Sequence, residues 1–423
     1  MNRFTAYNGE LRGFVESLLR YDTTEGGERD AQEWVLDRLD SYGFETYEWT
    51  ADAERLATHP EFPDDPGEIP AADRPSVAGV AEFGDPEAGP TVVLNGHVDV
   101  VPADGTLWET DPFEPVWGEA DDGAETLTAR GAADMKVGTA TCVFAGRALA
   151  DAADDRDLNG RVVVESVAGE EEGGIGAAAA ALDSPYPFER DAAIVAEPTD
   201  LVPVTATEGS VMKRLHVDGR SAHAARRWNG ESVLPHFERI RRAFEDLEAE
   251  RAERVAHPLY ERFANPWPVN VGTVRAGSWA SSVPASLDAE VRIGVAPGET
   301  IEEAEAEFAA RLREVVEDSE WLSAHPPTFE RFSVQFSAAE TDPDAAVVTA
   351  LRDAMTAAGL AETAPVGETY GADSRHFVRA GIPAVVFGPG NVDEAHFPNE
   401  SIRWDDVLAA GEIITDAARR LLS

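Results

Sequence analysis

Two apolar periods organise this chain. Runs rich in Val, Ile and Leu at 77–83, 91–101, 161–167 and 192–196 predict buried strands, and 44–49 and 384–387 add shorter ones. Helical spacing runs through 7–42, with Leu11, Phe14, Val15 and Leu18 and then Trp34, Val35, Leu39 and Tyr42, interrupted at Gly26-Gly27. Small residues predict a helix that follows a turn at Asp134 and reaches Leu149; others are expected at 177–182, 345–358 and 404–422. The strands 77–83 and 91–101 are expected to be neighbours across a hairpin-like turn beginning Gly84-Asp85-Pro86. Residues 51–75, dense in Pro, Asp and Glu, read as a surface excursion with no site of its own, and 108–123 as a polar loop.

The pattern changes near Thr207. Strands at 211–217, 269–274, 286–293 and 328–334, with helices at 231–255 and 300–316, give the order β-α-β-β-α-β and suggest a ferredoxin-like unit inserted into an α/β parent. The expected division is 1–206, 207–337 for the insert, and 338–423 where the parent resumes. At 423 residues the chain exceeds one ordinary core, which agrees with two domains.

Charge changes the picture. The chain holds 80 acidic against 35 basic residues, a net of -45, and its only lysines are Lys136 and Lys213. Periodic apolar runs argue against acidic disorder, so the expectation is a folded protein with an acidic, lysine-poor surface. Such self-repulsion is tolerable where salt shortens the screening length to about 3 Å near 1 M, which points to a salt-adapted cytoplasmic protein of the haloarchaeal kind. No basic stripe exists for nucleic acid, and no apolar run reaches membrane-spanning length. Residues 1–20 are amphipathic and carry acid, unlike a signal peptide. Cys142 is alone, which excludes an internal disulfide.

Candidate chemistry lies at strand ends. The run 91–101 presents His97 and Asp99, which on a strand share one face; an imidazole can hold a metal while a carboxylate orients it. Asp134 sits at a strand-to-helix turn, Glu170, Glu171 and Glu172 follow 161–167, Glu197 follows 192–196, and His396 lies beyond 384–387. Adjacent carboxylates at one turn repel, and a metal relieves this by taking one as ligand and leaving another as base. Ligands gather beyond the carboxyl ends of strands in open α/β sheets, so these residues could meet. Mixed imidazole and carboxylate donors suit zinc, cobalt or manganese, zinc first; Cys142, inside a helix, offers no thiolate.

These stretches resemble the M20 metallopeptidases and deacylases, a family that includes acetylornithine deacetylase, succinyl-diaminopimelate desuccinylase, aminoacylase and glutamate carboxypeptidase. Gly96-His97-Val98-Asp99-Val100-Val101-Pro102 resembles the first motif and Arg130-Gly131-Ala132-Ala133-Asp134-Met135-Lys136 the second. Glu170-Glu171 before a glycine run resembles the third, Glu197-Pro198-Thr199 the fourth, and Ala395-His396-Phe397-Pro398-Asn399-Glu400 the last. Five motifs in order are a specific signal.

The resemblance implies a zinc-peptidase-like catalytic domain with an inserted ferredoxin-like lid and dimerisation domain. It also implies two divalent ions bridged by Asp134, one held with His97 and Glu197 and the other with Glu171 and His396. Asp99 would support His97, and Glu170 would be the general base in hydrolysis of an amide. Gly169 stands where the family often has Asp, and a one-residue slip would select Glu171 as base and Glu172 as ligand. Gly219-Arg220-Ser221-Ala222-His223-Ala224-Ala225 resembles the lid motif, whose histidine stabilises an oxyanion, often from the partner subunit of a homodimer. Arg292 resembles the family's arginine for a substrate carboxylate, with a strand-end ion pair as the alternative. His376, beside Arg375 in a segment that lines the family's substrate cleft, is the rival of His396; His59, His216, His236, His257 and His325 are assigned structural or surface roles. The expected activity is acetylornithine deacetylase-like cleavage of an N-acyl amino acid. A small-peptide carboxypeptidase or dipeptidase, or a catalytically silent binding protein, are the alternatives.

Overall fold

The computed structural model describes residues 4–151 and 158–423. Residues 1–3 of the amphipathic N-terminal stretch lie outside the described residues. The strands are, in order, β1 (Glu45–Thr50), β2 (Pro75–Phe83), β3 (Thr91–His97), β4 (Val116–Glu119), β5 (Glu125–Thr128), β6 (Gly160–Val167), β7 (Ala192–Val195) and β8 (Val204–Thr207). Then come β9 (Gly209–Asp218), β10 (Val269–Ala276), β11 (Ser286–Val295), β12 (Thr328–Arg331), β13 (Ala339–Glu340), β14 (Val366–Glu368), β15 (Ala384–Val386) and β16 (Ser401–Arg403).

The larger sheet runs β1-β2-β6-β3-β7-β15-β8-β13, with β14 on β8. Its centre is parallel: β6, β3, β7 and β15 point the same way, so their carboxyl ends open on one edge. Every residue of β3, β6 and β7 is buried, which is why each holds three or more consecutive apolar residues instead of an alternating pattern. Helices Asn8–Leu19, Arg29–Ser41, Lys136–Ala150 and Trp404–Leu421 contribute Leu18, Val35, Phe144 and Ile414 to the core on that sheet. Gly138 lets Lys136–Ala150 approach the end of β7, because a Cβ there would stand 2.2 Å from the Ala196 carbonyl oxygen.

Three expectations need correcting. Strands β2 and β3 are not neighbours: β6 lies between them, antiparallel to one and parallel to the other. The Gly84 turn therefore spans a strand, and Asn159 fills it, its side chain accepting from the Asp85 N–H at 2.9 Å. The polar loop 108–123 contains β4, which joins β5 and β16 in a small sheet where Trp117 packs edge-on against Trp404. The excursion 51–75 is no mere surface segment, because Leu56, Phe62, Ile69 and Ala71 form a core with Ile175 and Val334, and β2 already begins at Pro75.

The second sheet, β10-β11-β9-β12, is antiparallel and has the strand order of a ferredoxin-like unit. Helices Val233–Arg254 and Ile301–Glu317 cover one face, and Ile240, Phe244, Phe308 and Leu312 meet Val211, Leu215, Leu287 and Val291 in a separate core. Among the described residues no helix is long and apolar enough to cross a membrane.

Candidate metal centre

Strands β3, β6 and β7 end side by side and pass their next residues into one cleft. His97 closes β3, buried, with Nδ1 2.9 Å from the Asp99 carbonyl oxygen. A carbonyl only accepts, so Nδ1 carries a hydrogen, and Nε2 is the nitrogen free to exchange a proton for a cation. The Asp99 carboxylate does not do this orienting. It lies 3.7 Å from His97 Nδ1 and accepts instead from the Gly169 and Glu171 N–H groups at 2.8 and 2.9 Å. The strand stops at His97, so the shared strand face expected for the two side chains does not form. Gly169 has φ +78, the left-handed region that glycine enters without cost.

Asp134 is placed by Glu400, a residue outside the expected ligand and base set. The buried Glu400 carboxylate accepts from the N–H groups of Ala133 and Asp134 at 2.7 and 2.9 Å and from Gly131 at 3.1 Å. Arg130 donates to it at 2.7 Å. Nothing distinguished Glu400 from its acidic neighbours except its place in the last motif.

The carboxylate so held faces two ways. Asp134 Oδ1 lies 3.1 Å from His97 Nε2, and Oδ2 lies 3.4 Å from His396 Nε2. Glu197 Oε1 is 3.8 Å from His97 Nε2, and Glu171 Oε2 is 3.2 Å from His396 Nε2. The result is two trios, His97–Asp134–Glu197 and Asp134–Glu171–His396, each with donor atoms within 4.8 Å of one another. His396 stands at φ +64, a costly backbone for a non-glycine residue.

Electrostatics agree with a cation-binding purpose. Burial, then the Asp134 charge, pushes the Glu171 carboxyl up to about 7, and burial raises Glu170 and Glu197 as well. Burial would raise Asp134 too, but His396 and His97 outweigh it and hold the group below the usual carboxylate range. His396 is pushed up to about 10 by hydrogen bonds to Asp134 and then Glu171. Crowded carboxylates of this kind are expensive unless positive charge stands among them, and two imidazoles with three carboxylates form a borderline N/O donor set. The residues present fit two divalent ions sharing Asp134.

Residues 93–420 match the family profile described as Peptidase family M20/M25/M40. The chain belongs to that family. It is a hydrolase of a metal-dependent kind. The chain is 25% identical to the N-formyl-4-amino-5-aminomethyl-2-methylpyrimidine deformylase of Halalkalibacterium halodurans, covering 94% of this chain and 91% of that protein. It is 29% identical to an acetylornithine deacetylase of Myxococcus xanthus over 77% of this chain and 79% of the relative. In fold it is similar to an M20 metallo-carboxypeptidase of Sulfolobus solfataricus, with a TM-score of 0.72, 17% identity, and 98% and 99% of the two chains covered.

In this M20 protein the remaining expected residues fare differently. Glu172 pairs with Arg74 at 2.6 Å, away from His396, so the geometry favours Glu171 over Glu172 at the second trio. His376 is buried, its Nε2 3.3 Å from the Gly173 carbonyl oxygen, and burial pushes it down to about 3; it joins neither trio. Arg375 is buried as well, so this pair does not line an open cleft. Arg292 is engaged by buried Glu208 at 3.2 Å, the ion pair that was the alternative for it. His223 is exposed in the second sheet's loop region, its Nδ1 accepting from the Ala225 N–H at 3.1 Å, and it is not among the residues brought together. Cys142 lies in Lys136–Ala150, buried, as expected.

Proposed function

We propose that the chain hydrolyses the amide bond of a small N-acyl amino acid, acetylornithine deacetylase-like, at a dinuclear centre. The observation that carries this reading is the Asp134 carboxylate standing between His97 and His396, 3.1 and 3.4 Å away, and so joining two donor trios. His97 and Glu197 would hold one ion and Glu171 and His396 the other, zinc first, with cobalt or manganese as the alternatives. When bound, the ions supply Lewis acidity, polarising the acyl carbonyl and making water more acidic.

The chain's own groups do the rest. Glu170, raised by burial, takes a proton from the attacking water at its carboxylate and gives it to the departing nitrogen, so that water adds across the amide as acid and amine. Asp99 fixes the turn that carries Glu170, and the Asp99 carbonyl fixes the His97 ring. Residues 207–337 act as the lid and dimerisation unit. Arg292, paired with Glu208 on one side and 29% exposed on the other, takes the substrate carboxylate with its exposed edge, and His223 donates to the oxyanion from the partner subunit of a homodimer.

The test is turnover of N-acetyl-L-ornithine, N-formyl and N-succinyl amino acids and simple dipeptides in molar KCl with added zinc or cobalt, beside metal analysis of the protein. Two ions per chain with hydrolysis of N-acyl amino acids is the expected result. Preference for dipeptides would move the protein to the peptidase reading, and absence of both metal and turnover would sink the proposal.

A further inference from the structure

The excursion between β1 and β2 reaches the centre of the molecule. Its Glu61 is fully buried and accepts from Arg375 Nε at 3.0 Å, and Arg375 is itself fully buried with its guanidinium 4.0 Å above the Phe336 ring. The other side of that guanidinium faces the Glu170 carboxylate, with Nη1 3.6 Å from Oε1 and 2.9 Å from the Ala372 carbonyl oxygen. The segment is anchored, because the Gln335 N–H donates to the Glu61 carbonyl at 2.7 Å and Phe62 packs in the core with Ile175, just beyond the turn that carries Glu170. One buried cation thus stands between two carboxylates, close to one and loosely set against the other.

We propose that Glu61 is a positioning residue for hydrolysis: by engaging Arg375 it keeps the guanidinium from closing on Glu170, so that the Glu170 carboxylate stays placed and free to accept a proton. A buried guanidinium deprived of one carboxylate turns to the nearest other, because a charge left unpaired in the interior is strongly unfavourable. Without the Glu61 charge, Arg375 would pair directly with Glu170 and draw it out of line. The inference rests on Glu170 being the base.

The experiment uses the full chain loaded with zinc or cobalt in molar KCl, with N-acetyl-L-ornithine or the panel member of highest kcat/KM. Glu61→Gln should lower kcat by about 10- to 100-fold, the scale of losing an outer-shell partner, with KM and metal content unchanged. Glu61→Asp, which keeps the charge, should recover part of that loss. Phe62→Leu perturbs the same core while leaving the Glu61 carboxylate and Arg375 unchanged in sequence, and it should lower Tm while leaving kcat within about threefold. In a Glu170→Gln background, adding Glu61→Gln should change the residual rate by less than about threefold.

Wild-type kcat in Glu61→Gln, a loss that tracks metal content or is matched by Phe62→Leu, or a full multiplicative loss in the Glu170→Gln background would each overturn the proposal. Should Glu61→Gln fail to fold, Glu61→Asp carries the test: a severalfold lower kcat at unchanged KM supports the proposal, and wild-type kcat rejects it. A fully active Glu170→Gln rejects the base itself. An inactive Glu170→Gln beside a wild-type Glu61→Gln rejects only the role of Glu61.

Discussion

His97 and His396 meet the same carboxylate from opposite sides, one at Oδ1 and the other at Oδ2 of Asp134. The two histidines come from positions 299 residues apart, counting from 97 to 396, and Asp134 is held between them by the buried Glu400. What this arrangement does can be tested residue by residue.

Glu170 lies beside the trios and belongs to neither. Glu170→Gln should keep both metal ions and lose about 10²- to 10⁴-fold in kcat, the usual worth of a positioned base. Metal analysis and steady-state kinetics on one preparation check this, and retained activity would mean that the base is elsewhere.

Asp99 satisfies two N–H groups of the turn that carries Glu170 and Glu171, the Gly169 one buried and the Glu171 one partly so. Asp99→Ala should destabilise the fold by about 1–3 kcal/mol for each donor left unpaired and weaken metal affinity by about 10- to 100-fold. Thermal unfolding and a chelator titration measure the two effects. A variant with wild-type Tm and affinity would show the turn to be held by other contacts.

Glu208, buried against Arg292, has its carboxyl pushed up to about 7 by burial, against the opposing pull of the arginine. A carboxyl that holds its proton more tightly folded than unfolded gives its full stability below the unfolded value of 4.5 and loses it as pH rises through about 7. Wild type should therefore lose Tm relative to Glu208→Gln between about pH 5 and pH 8. A difference that stays flat across that range would show that Glu208 is already ionised at the lower pH.

Both lysines are internal: Lys136 donates to the Tyr21 carbonyl at 2.7 Å, and Lys213 pairs with Glu305 under the second sheet's helices. The surface of this net -45 chain therefore carries no lysine. Unfolding in about 0.1 M and then in molar KCl should show a marked gain in stability as the screening length shrinks from about 10 to 3 Å. Equal stability in both would refute salt adaptation.

Much was legible from local pattern. The centres of β3, β6 and β7 are consecutive apolar residues because both faces are covered, the helix Ile301–Glu317 follows from its periodicity, and Lys136–Ala150 follows from its run of small residues. Strand ends carrying His97, Glu170 and Glu197 and the strand-to-helix turn at Asp134 pointed to one cleft, since parallel strands open on a common edge. The ferredoxin-like order was likewise written in the alternation of strand and helix.

Pairing across the chain was not legible. Periodicity says that β2 and β3 are strands, but which strand lies between them depends on hydrogen bonds to β6, some 80 residues on. The acids at Glu61, Glu172 and Glu400 look alike in a chain with 80 of them, and only folding assigns each an arginine: Arg375, Arg74 and Arg130. Local composition determined the elements and the residue types offered to the cleft, because propensity and burial act on neighbours in sequence. Tertiary packing decided which charges meet, because Coulomb and hydrogen-bond partners are chosen by distance in space, which one chain position cannot report about another.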